Sequence, residues 1–306
     1  MGDTQDKPGI VPSKPLTPEQ AADLLLHAVW PIVARVNGEW HPHGSGFLIS
    51  YTGLFVTARH VVESPSQKRG RALGADGKWF DEGKFYALIP ERTGENGEIR
   101  PPAVLHMVRM DFSKRSDIAV CQLDLSEGAA PPDITALVLH PGLPRIRERV
   151  VIFGYTQLDL SVIKESEEEL ALHANTKSLL SSGHVEAIDP LRKATGIGDF
   201  PSFTVSAEVP GGMSGGPVIN EEGRVIGVVS HSPDWEPTAT AALIGFALAT
   251  TVHLLPQPGS DSRSALLRDL IRDRIVGADE SAGDVELVPL GGDDYQVTMH
   301  GPTERR

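Results

Sequence analysis

Glycine and proline divide the apolar segments of this chain into short pieces, and this feature limits its fold most strongly. The 306 residues include 31 glycines and 24 prolines, and both residue types are typical of turns that end strands and helices. Long helices would need uninterrupted periodic segments, which are rare here. The pattern therefore favours an all-β fold with many turns.

The strand candidates form two sets of six. The first set lies at residues 31–36, 46–50, 54–57, 85–89, 104–110 and 118–123. The second set lies at residues 150–154, 183–188, 203–209, 217–220, 224–230 and 243–248. Closing a sheet on itself removes its exposed edges, so we predict two antiparallel six-stranded β-barrels. They occupy residues 29–125 and 146–250, with a proline-rich and glycine-rich connector at 126–145.

Short helices are predicted at both ends of the chain. Thr17-Pro18-Glu19-Gln20 combines an N-cap, a proline at the first helical position and a capping-box glutamine. We assign residues 1–28 to a tail and this helix. Residues 251–306 form an extension, with a helix at 264–275 and a hairpin at 285–299.

Charge and cysteine content restrict partners and location. The net charge of −13 argues against a nucleic-acid partner, which would need a concentrated basic surface. The one cysteine, Cys121, is expected to be buried in a strand and excludes an intramolecular disulfide, as suits the cytoplasm. We find no apolar signal segment and no apolar stretch of membrane-spanning length, so we expect a cytoplasmic protein without a membrane partner.

The segment Gly211-Gly212-Met213-Ser214-Gly215-Gly216-Pro217 carries the clearest chemical signal. A serine becomes a nucleophile when a base takes its proton and N–H groups stabilise the oxyanion. His60 follows a strand and is the candidate base, and Asp117 opens another strand and is the candidate carboxylate, with Asp111 and Asp124 as competitors. The N–H groups of Gly212 and Ser214 are the candidate oxyanion donors.

Other patterns are weaker. His41 and His43 lack a third ligand nearby, so no metal is predicted. Gly196-Ile197-Gly198 fails the dinucleotide pattern, so no cofactor is predicted either. The acidic run at 164–169 and the basic run at 68–71 are interpreted as solvated loops, with docking of basic peptides as the alternative for the acidic one.

Four motifs in register resemble the trypsin-like, chymotrypsin-fold serine peptidases. They are Gly44-Ser45-Gly46-Phe47, Val56-Thr57-Ala58-Arg59-His60-Val61-Val62, Asp117-Ile118-Ala119-Val120 and Gly212-Met213-Ser214-Gly215-Gly216-Pro217. The segments 223–228 and 244–248 are similar to the disulfide-free HtrA (Deg) branch. The resemblance favours Asp117 over its two competitors. It implies an intracellular serine endopeptidase that cleaves proteins or peptides through an acyl-enzyme.

Two departures from the family change the expectations. Secreted digestive members carry an aspartate at the position of Met213, and that aspartate pairs with a newly cut N-terminus. Activation by N-terminal cleavage is therefore not expected, and a ligand or regulatory partner would order the oxyanion loop. The residues after 250 are too few for the PDZ domain of HtrA members, so we expect none.

The resemblance also implies substrate-binding residues. The base of the S1 pocket lies six residues before the nucleophile, at Glu208, which would favour arginine or lysine at P1. A shift of one residue would place Ala207 or Val209 there instead. The substrate strand is expected to include Ser230, His231 and Ser232, with Gly245 on the opposite wall.

Two other functions remain open. One is a peptidase-fold module that binds peptides without turnover. The other is an effector module that is catalytic only when another domain or subunit triggers it. Binding without cleavage would indicate the first, and activity present only in cell extract would indicate the second.

Overall fold

A computed structural model describes residues 18–36, 39–63, 84–93, 99–100, 102–125, 134–165, 170–191, 200–232, 237–255 and 263–301. Helix α1 (Pro18–Ala28) precedes the first barrel, and its predicted N-cap, Thr17, lies outside the described residues. The basic run at 68–71, the tip of the acidic run at 166–169 and Gly196-Ile197-Gly198 also lie outside them.

The first barrel closes in the strand order β1-β2-β3-β8-β7-β4, and every pair is antiparallel. Helix α2 (Arg59–Val62) follows its third strand, and β5 and β6 form a separate two-stranded sheet. The strands are β1 (Val29–Val36), β2 (Glu39–Leu48), β3 (Leu54–Thr57), β4 (Lys84–Ile89), β5 (Arg92–Thr93), β6 (Ile99–Arg100), β7 (Ala103–Phe112) and β8 (Ala119–Leu123). Trp30, Phe47 and Phe55 are fully buried in its core.

The second barrel closes in the order β10-β11-β14-β13-β12-β9. Its strands are β9 (Arg149–Glu165), β10 (Leu170–Asp189), β11 (Ser202–Val205), β12 (Pro217–Asn220), β13 (Val225–His231) and β14 (Ala239–Leu243). Phe203, Val205 and Ile226 are buried in its core. The predicted all-β fold of two six-stranded antiparallel barrels is confirmed.

The C-terminal extension packs on both barrels. A 3₁₀-helix (Ile244–Ala249) precedes it, and it contains β15 (Thr251–Leu254), β16 (Arg263–Leu266), helix α3 (Leu267–Arg272), a second 3₁₀-helix (Glu280–Asp284), β17 (Val285–Gly291) and β18 (Asp294–Met299). The predicted hairpin at 285–299 is present as β17 and β18. The predicted helix at 264–275 begins three residues later, because residues 263–266 pair with β15 instead.

The structure corrects two further boundaries. The last strand of the second barrel is Ala239–Leu243, and most of the predicted strand at 243–248 is 3₁₀-helix. Residues 241–248 are all buried, and an unbroken apolar run has no period that separates a strand from a buried helix.

The second correction concerns residues 161–165 and 170–182, for which no strand is predicted. They continue β9 and β10 as a long two-stranded ribbon, with pairs from Leu170↔Glu165 to His184↔Arg149. Half-buried Leu158 and Leu160 alternate along it with exposed Gln157 and Asp159. A ribbon satisfies its backbone hydrogen bonds between its own strands, so charged residues do not prevent it from forming.

Candidate active site

The backbone places His60 directly beyond the end of β3, on the short helix α2. Its ring Nδ1 lies 2.7 Å from Asp117 Oδ2, and its backbone N–H donates to Asp117 Oδ1 at 3.0 Å. One carboxylate therefore fixes both the backbone and the ring of His60. Because Nδ1 is bound in this way, proton exchange with a nucleophile would go through the other ring nitrogen.

Asp117 lies in the turn between β7 and β8. The Arg59 N–H donates to the Asp117 carbonyl at 3.2 Å, and the Arg59 guanidinium donates to the carbonyl of Ser113 at 3.2 Å. Helix α2 thus holds the turn that carries the carboxylate. The side chain of Asp117 is only 11% exposed.

Burial alone would raise the pKa of Asp117, but hydrogen bonds from His60 and Ser230, together with the charge of His60, lower this pKa below its ordinary value. The carboxyl is therefore ionised at neutral pH and can stabilise an imidazolium. The competing candidate Asp111 instead binds His253, with its oxygens 2.7 Å from the ring Nδ1 and 2.8 Å from the backbone N.

Ser214 lies in the loop between β11 and β12, and this loop lies against the first barrel. The N–H of Ser45 donates to the Ser214 carbonyl at 2.8 Å. Gly215 has a φ of +87°, and a β-carbon there would lie 2.1 Å from both the Ser45 carbonyl and the Thr57 hydroxyl. Only glycine allows the serine loop to approach β2 and β3 this closely.

Ser230, on β13, joins the serine to the aspartate. Its carbonyl accepts the Ser214 hydroxyl at 2.9 Å, and its own hydroxyl donates to Asp117 Oδ2 at 2.6 Å. A single residue, Ser230, thus connects Ser214 to Asp117 by hydrogen bonds, although 97 positions separate the two in the sequence (214 − 117 = 97). The contact of Ser230 with Asp117 was not predicted, since the residue was assigned to the substrate strand.

The backbone around Ser214 also presents hydrogen-bond donors. Among the described residues, no backbone carbonyl accepts from the N–H of Gly212 or of Ser214. Gly212 has a φ of +93°, which glycine adopts without strain. The geometry leaves these two donors available for an oxyanion.

Met213 lies between the two donors and is fully buried in the core of the second barrel. A β-carbon on Gly154 would lie 2.9 Å from the α-carbon of Met213, so the loop packs closely on β9. An apolar side chain thus anchors the loop at the position where secreted family members would have an aspartate.

The predicted substrate-binding residues have different surroundings. Glu208 is exposed, while Ala207 and Val209 on either side of it are buried. His231 is exposed at the end of β13, and the Ser232 hydroxyl donates to the Thr238 carbonyl at 2.6 Å.

Gly245 lies away from the position predicted for it on the cleft wall. It is buried in the 3₁₀-helix, and a β-carbon there would lie 2.3 Å from the Pro141 carbonyl and 2.8 Å from the terminal methyl of Met299. The connector and the C-terminal hairpin cover it, which corrects the prediction.

In the described part of the chain, no group of three or more histidine, cysteine, aspartate or glutamate side chains is arranged to hold a metal ion. The Nδ1 atom of His43 lies 3.2 Å from the Val61 carbonyl. None of the helices described is both long enough and apolar enough to cross a bilayer.

One relative found by sequence and two solved structures are similar to this chain. Protease Do-like 2, a chloroplastic protein of Arabidopsis thaliana, is 29% identical over 210 residues, which are 68% of this chain and 26% of that protein. The chain thus spans about a quarter of the length of this relative. The crystal structure of Deg5 superposes with a TM-score of 0.51 at 17% identity, covering 78% of this chain and 95% of that one.

A crystal structure of the Rv3671c protease in its inactive form has a TM-score of 0.44 at 19% identity, covering 77% of this chain and 92% of that one. The family model of the trypsin-like peptidase domain matches residues 44–228, which include His60, Asp117 and Ser214. That match covers more than half of the chain and includes parts of both barrels. The chain belongs to the trypsin-like peptidase domain family.

Proposed function

We propose that this protein is a serine endopeptidase that hydrolyses peptide bonds through an acyl-enzyme. The observation that carries the proposal is the network around Asp117, whose carboxylate binds both His60 and Ser230, while Ser230 accepts the hydroxyl of Ser214. A nucleophile, a base and an orienting carboxylate converge there from two barrels, and acyl transfer by serine requires these three groups.

In the first step, Ser214 attacks the carbonyl carbon of the scissile peptide bond. Its hydroxyl turns from the Ser230 carbonyl towards His60, and His60 takes the proton as a general base. Asp117 holds the ring orientation and stabilises the positive charge that forms. The N–H groups of Gly212 and Ser214 bind the oxyanion, and each such donor typically contributes about 3–4 kcal/mol to transition-state stabilisation.

Collapse of the tetrahedral intermediate releases the amine, and His60 returns the proton to it. This leaves an ester between Ser214 and the acyl half of the substrate. His60 then activates a water molecule, which hydrolyses the ester and restores the free serine. No step of this sequence requires a metal or an organic cofactor.

The substrate is a protein or a peptide, as the family implies. The exposed carboxylate of Glu208, six residues before Ser214, supports a preference for arginine or lysine at P1, with Ala207 or Val209 as the alternative position in the register. His231 and Ser232 follow Ser230 on the same segment and are proposed to contact the substrate backbone.

The proposed setting is the cytoplasm. Its support is the lone Cys121, which is buried in β8 and forms no disulfide. The net charge of −13 supports a partner other than nucleic acid. No membrane partner is proposed.

A covalent probe tests the assembled site. Purified wild-type protein should react with a fluorophosphonate, and mass spectrometry should locate the adduct on Ser214. Ser214→Ala should not be labelled, and His60→Ala should be labelled far more slowly because the base is missing. Folded wild-type protein that shows no labelling dependent on Ser214 would contradict the proposal.

One contact favours a second candidate, an effector module that a partner triggers. The Arg115 guanidinium, two positions from Asp117, binds Asp294 of the C-terminal hairpin at 2.8 and 3.2 Å. A partner that moved this hairpin would therefore pull on the turn that carries the carboxylate. Labelling that occurs only in cell extract, and not with the isolated protein, would select this candidate over a constitutive enzyme.

A further inference from the structure

Ser45 is a fully buried polar residue that lies beneath the serine loop. It belongs to β2 of the first barrel, and its relative exposure is 0%. Its hydroxyl accepts from the Tyr155 N–H at 2.9 Å and donates to the Gly212 carbonyl at 2.9 Å. Its backbone N–H donates to the Ser214 carbonyl at 2.8 Å. One residue of the first barrel thus binds both loop residues that supply the oxyanion donors.

These bonds fix the orientation of the loop. The Gly212 carbonyl is held by Ser45, and a β-carbon on Gly212 would lie 2.4 Å from the Tyr155 carbonyl, so the loop has little room to shift against β9. If the Ser45 hydroxyl were removed, the Tyr155 N–H and the Gly212 carbonyl would lose a partner in a buried place. Buried polar groups without partners are costly, and a loop that shifts to recover these bonds would move the N–H groups of Gly212 and Ser214.

Met213 anchors the same loop from the other side. Its side chain is buried in the second barrel, where it cannot form the ion pair of the secreted family members. Two contacts built into the fold, one apolar and one polar, therefore hold the loop.

We propose that Ser45 is a positioning residue that keeps the N–H groups of Gly212 and Ser214 directed at the oxyanion. The inference rests on the proposed function. It also removes the need for a ligand or partner to order this loop. Ser45 does not contact the reacting atoms in this scheme, and it acts through the Gly212 carbonyl and the Ser214 backbone.

The test compares Ser45→Ala with wild type on a peptide substrate and on a peptide aldehyde, which forms an oxyanion when it binds to Ser214. The kcat should fall about 10- to 100-fold, a partial loss of the effect of one oxyanion donor. The KM should stay within about twofold. The aldehyde should bind more weakly by the same factor as the kcat, because it needs the same donors.

Ser50→Ala is the matched control. Ser50 is also a buried serine, 2% exposed, and among the described residues its hydroxyl bonds only to the hydroxyl and the N–H of Thr52. Ser50→Ala should lower the melting temperature, because it also removes a buried hydroxyl. It should not change the kcat or the affinity for the aldehyde.

Ser45→Cys keeps the size of the side chain with a weaker donor and acceptor, and it covers the case in which Ser45→Ala does not fold. Its kcat should fall between those of wild type and the alanine variant. A kcat equal to wild type in whichever of these two variants folds would overturn the role of Ser45 alone. Wild-type protein that neither cleaves peptides nor reacts with a fluorophosphonate would overturn the proposed function, and this inference with it.

Discussion

At the scale of single residues, the described part of the chain contains two aspartate–histidine pairs with nearly the same geometry. Asp117 binds the backbone N–H and Nδ1 of His60, and Asp111 binds the backbone N–H and Nδ1 of His253. Only the first pair is linked to Ser214, through Ser230. We therefore assign the catalytic role to Asp117 because of its link to Ser214, and not because it binds a histidine.

The two pairs provide a matched test. Asp117→Asn should lower the kcat by about 10,000-fold, because an amide cannot hold the required tautomer or stabilise the imidazolium. Asp111→Asn is the same change in the same geometry and should leave the kcat unchanged. Steady-state kinetics on one peptide substrate would measure both, and equal losses would contradict the assignment.

A third histidine–aspartate pair predicts a pH-dependent stability. The Asp279 carboxylate binds His140 at 2.6 Å and Arg224 at 2.6 Å, and its side chain is 4% exposed. Burial opposes the ionisation of Asp279, but the bonds from His140, Ser281 and Arg224 lower its pKa to about 2. Burial and the positive charge of Arg224 both lower the pKa of His140. The hydrogen bond and charge of Asp279, together with the charge of Glu148, outweigh them, so the pKa of His140 is raised.

The two shifts act in opposite directions with pH. The lowered pKa of Asp279 contributes stability above its ordinary value of 3.8, and this is lost as the pH falls towards about 2. The raised pKa of His140 contributes stability below its ordinary value of 6.5, and this is lost as the pH rises through the folded pKa. Asp279→Asn should therefore be most destabilising between about pH 4 and pH 6.5. The pKa shift of Asp279 alone contributes at most about 2 kcal/mol to the free energy of unfolding. Urea unfolding from pH 2 to pH 8 would measure the difference, and a cost of substitution that does not vary with pH would contradict this account.

At the scale of elements, the serine loop lies against β2 and β3 because of small residues. A side chain at Gly215 would meet the Ser45 carbonyl and the Thr57 hydroxyl. The same contact joins the serine-bearing barrel to the histidine-bearing one, so loop packing and barrel docking depend on the same atoms.

Gly215→Ala tests this contact. The positive φ of residue 215 and the clash of the new β-carbon with the Ser45 carbonyl should together lower the free energy of unfolding by about 2–5 kcal/mol. The variant should also lose fluorophosphonate labelling. Gly283→Ala is the control, since a β-carbon at Gly283 meets nothing within 4 Å. Normal labelling of Gly215→Ala would show that the barrels need not approach this closely.

Local sequence patterns were sufficient for most elements but not for all of them. Short apolar segments bounded by turn residues identified most strands of both barrels, because strands such as β3, β8 and β12 are buried along their whole length. The ribbon of β9 and β10 was missed, since a charge run does not show that two strands pair with each other. The 3₁₀-helix at Ile244–Ala249 was missed because every residue of that run but the last is buried.

The site was predictable to the extent that its residues lie in short motifs. His60, Asp117 and Ser214 each lie in such a motif, and the structure brings their networks together. The contacts of Ser45 with Gly212 and of Ser230 with Asp117 join residues 167 and 113 positions apart. No local pattern reports such contacts, although Gly44-Ser45-Gly46 marked the place where one of them occurs.

At the scale of the whole molecule, the C-terminal extension joins the two barrels. Val297 and Met299 pack on the core of the second barrel, while Asp294 binds Arg115 and His253 binds Asp111 of the first. The extension thus contacts the turn that carries Asp117 as well as the 3₁₀-helix that follows β14.

A double-mutant cycle on Arg115→Ala and Asp294→Ala measures how strongly this link holds. The pair is partly exposed, so its coupling in the free energy of unfolding should be about 1 kcal/mol or less. If the hairpin holds the Asp117 turn in place, the kcat of both single variants should fall by more than the loss of folded protein explains. An unchanged kcat in both single variants would show that the hairpin does not act on the site.

Peptide cleavage by the purified full chain tests the central claim most directly. A peptide library incubated with wild-type protein and with Ser214→Ala should yield new termini, read by mass spectrometry, only with wild type. The same spectra should show the acyl half of a slow substrate as an ester on Ser214. A library left intact by folded wild-type protein that still binds its peptides would contradict the account and identify a binding module.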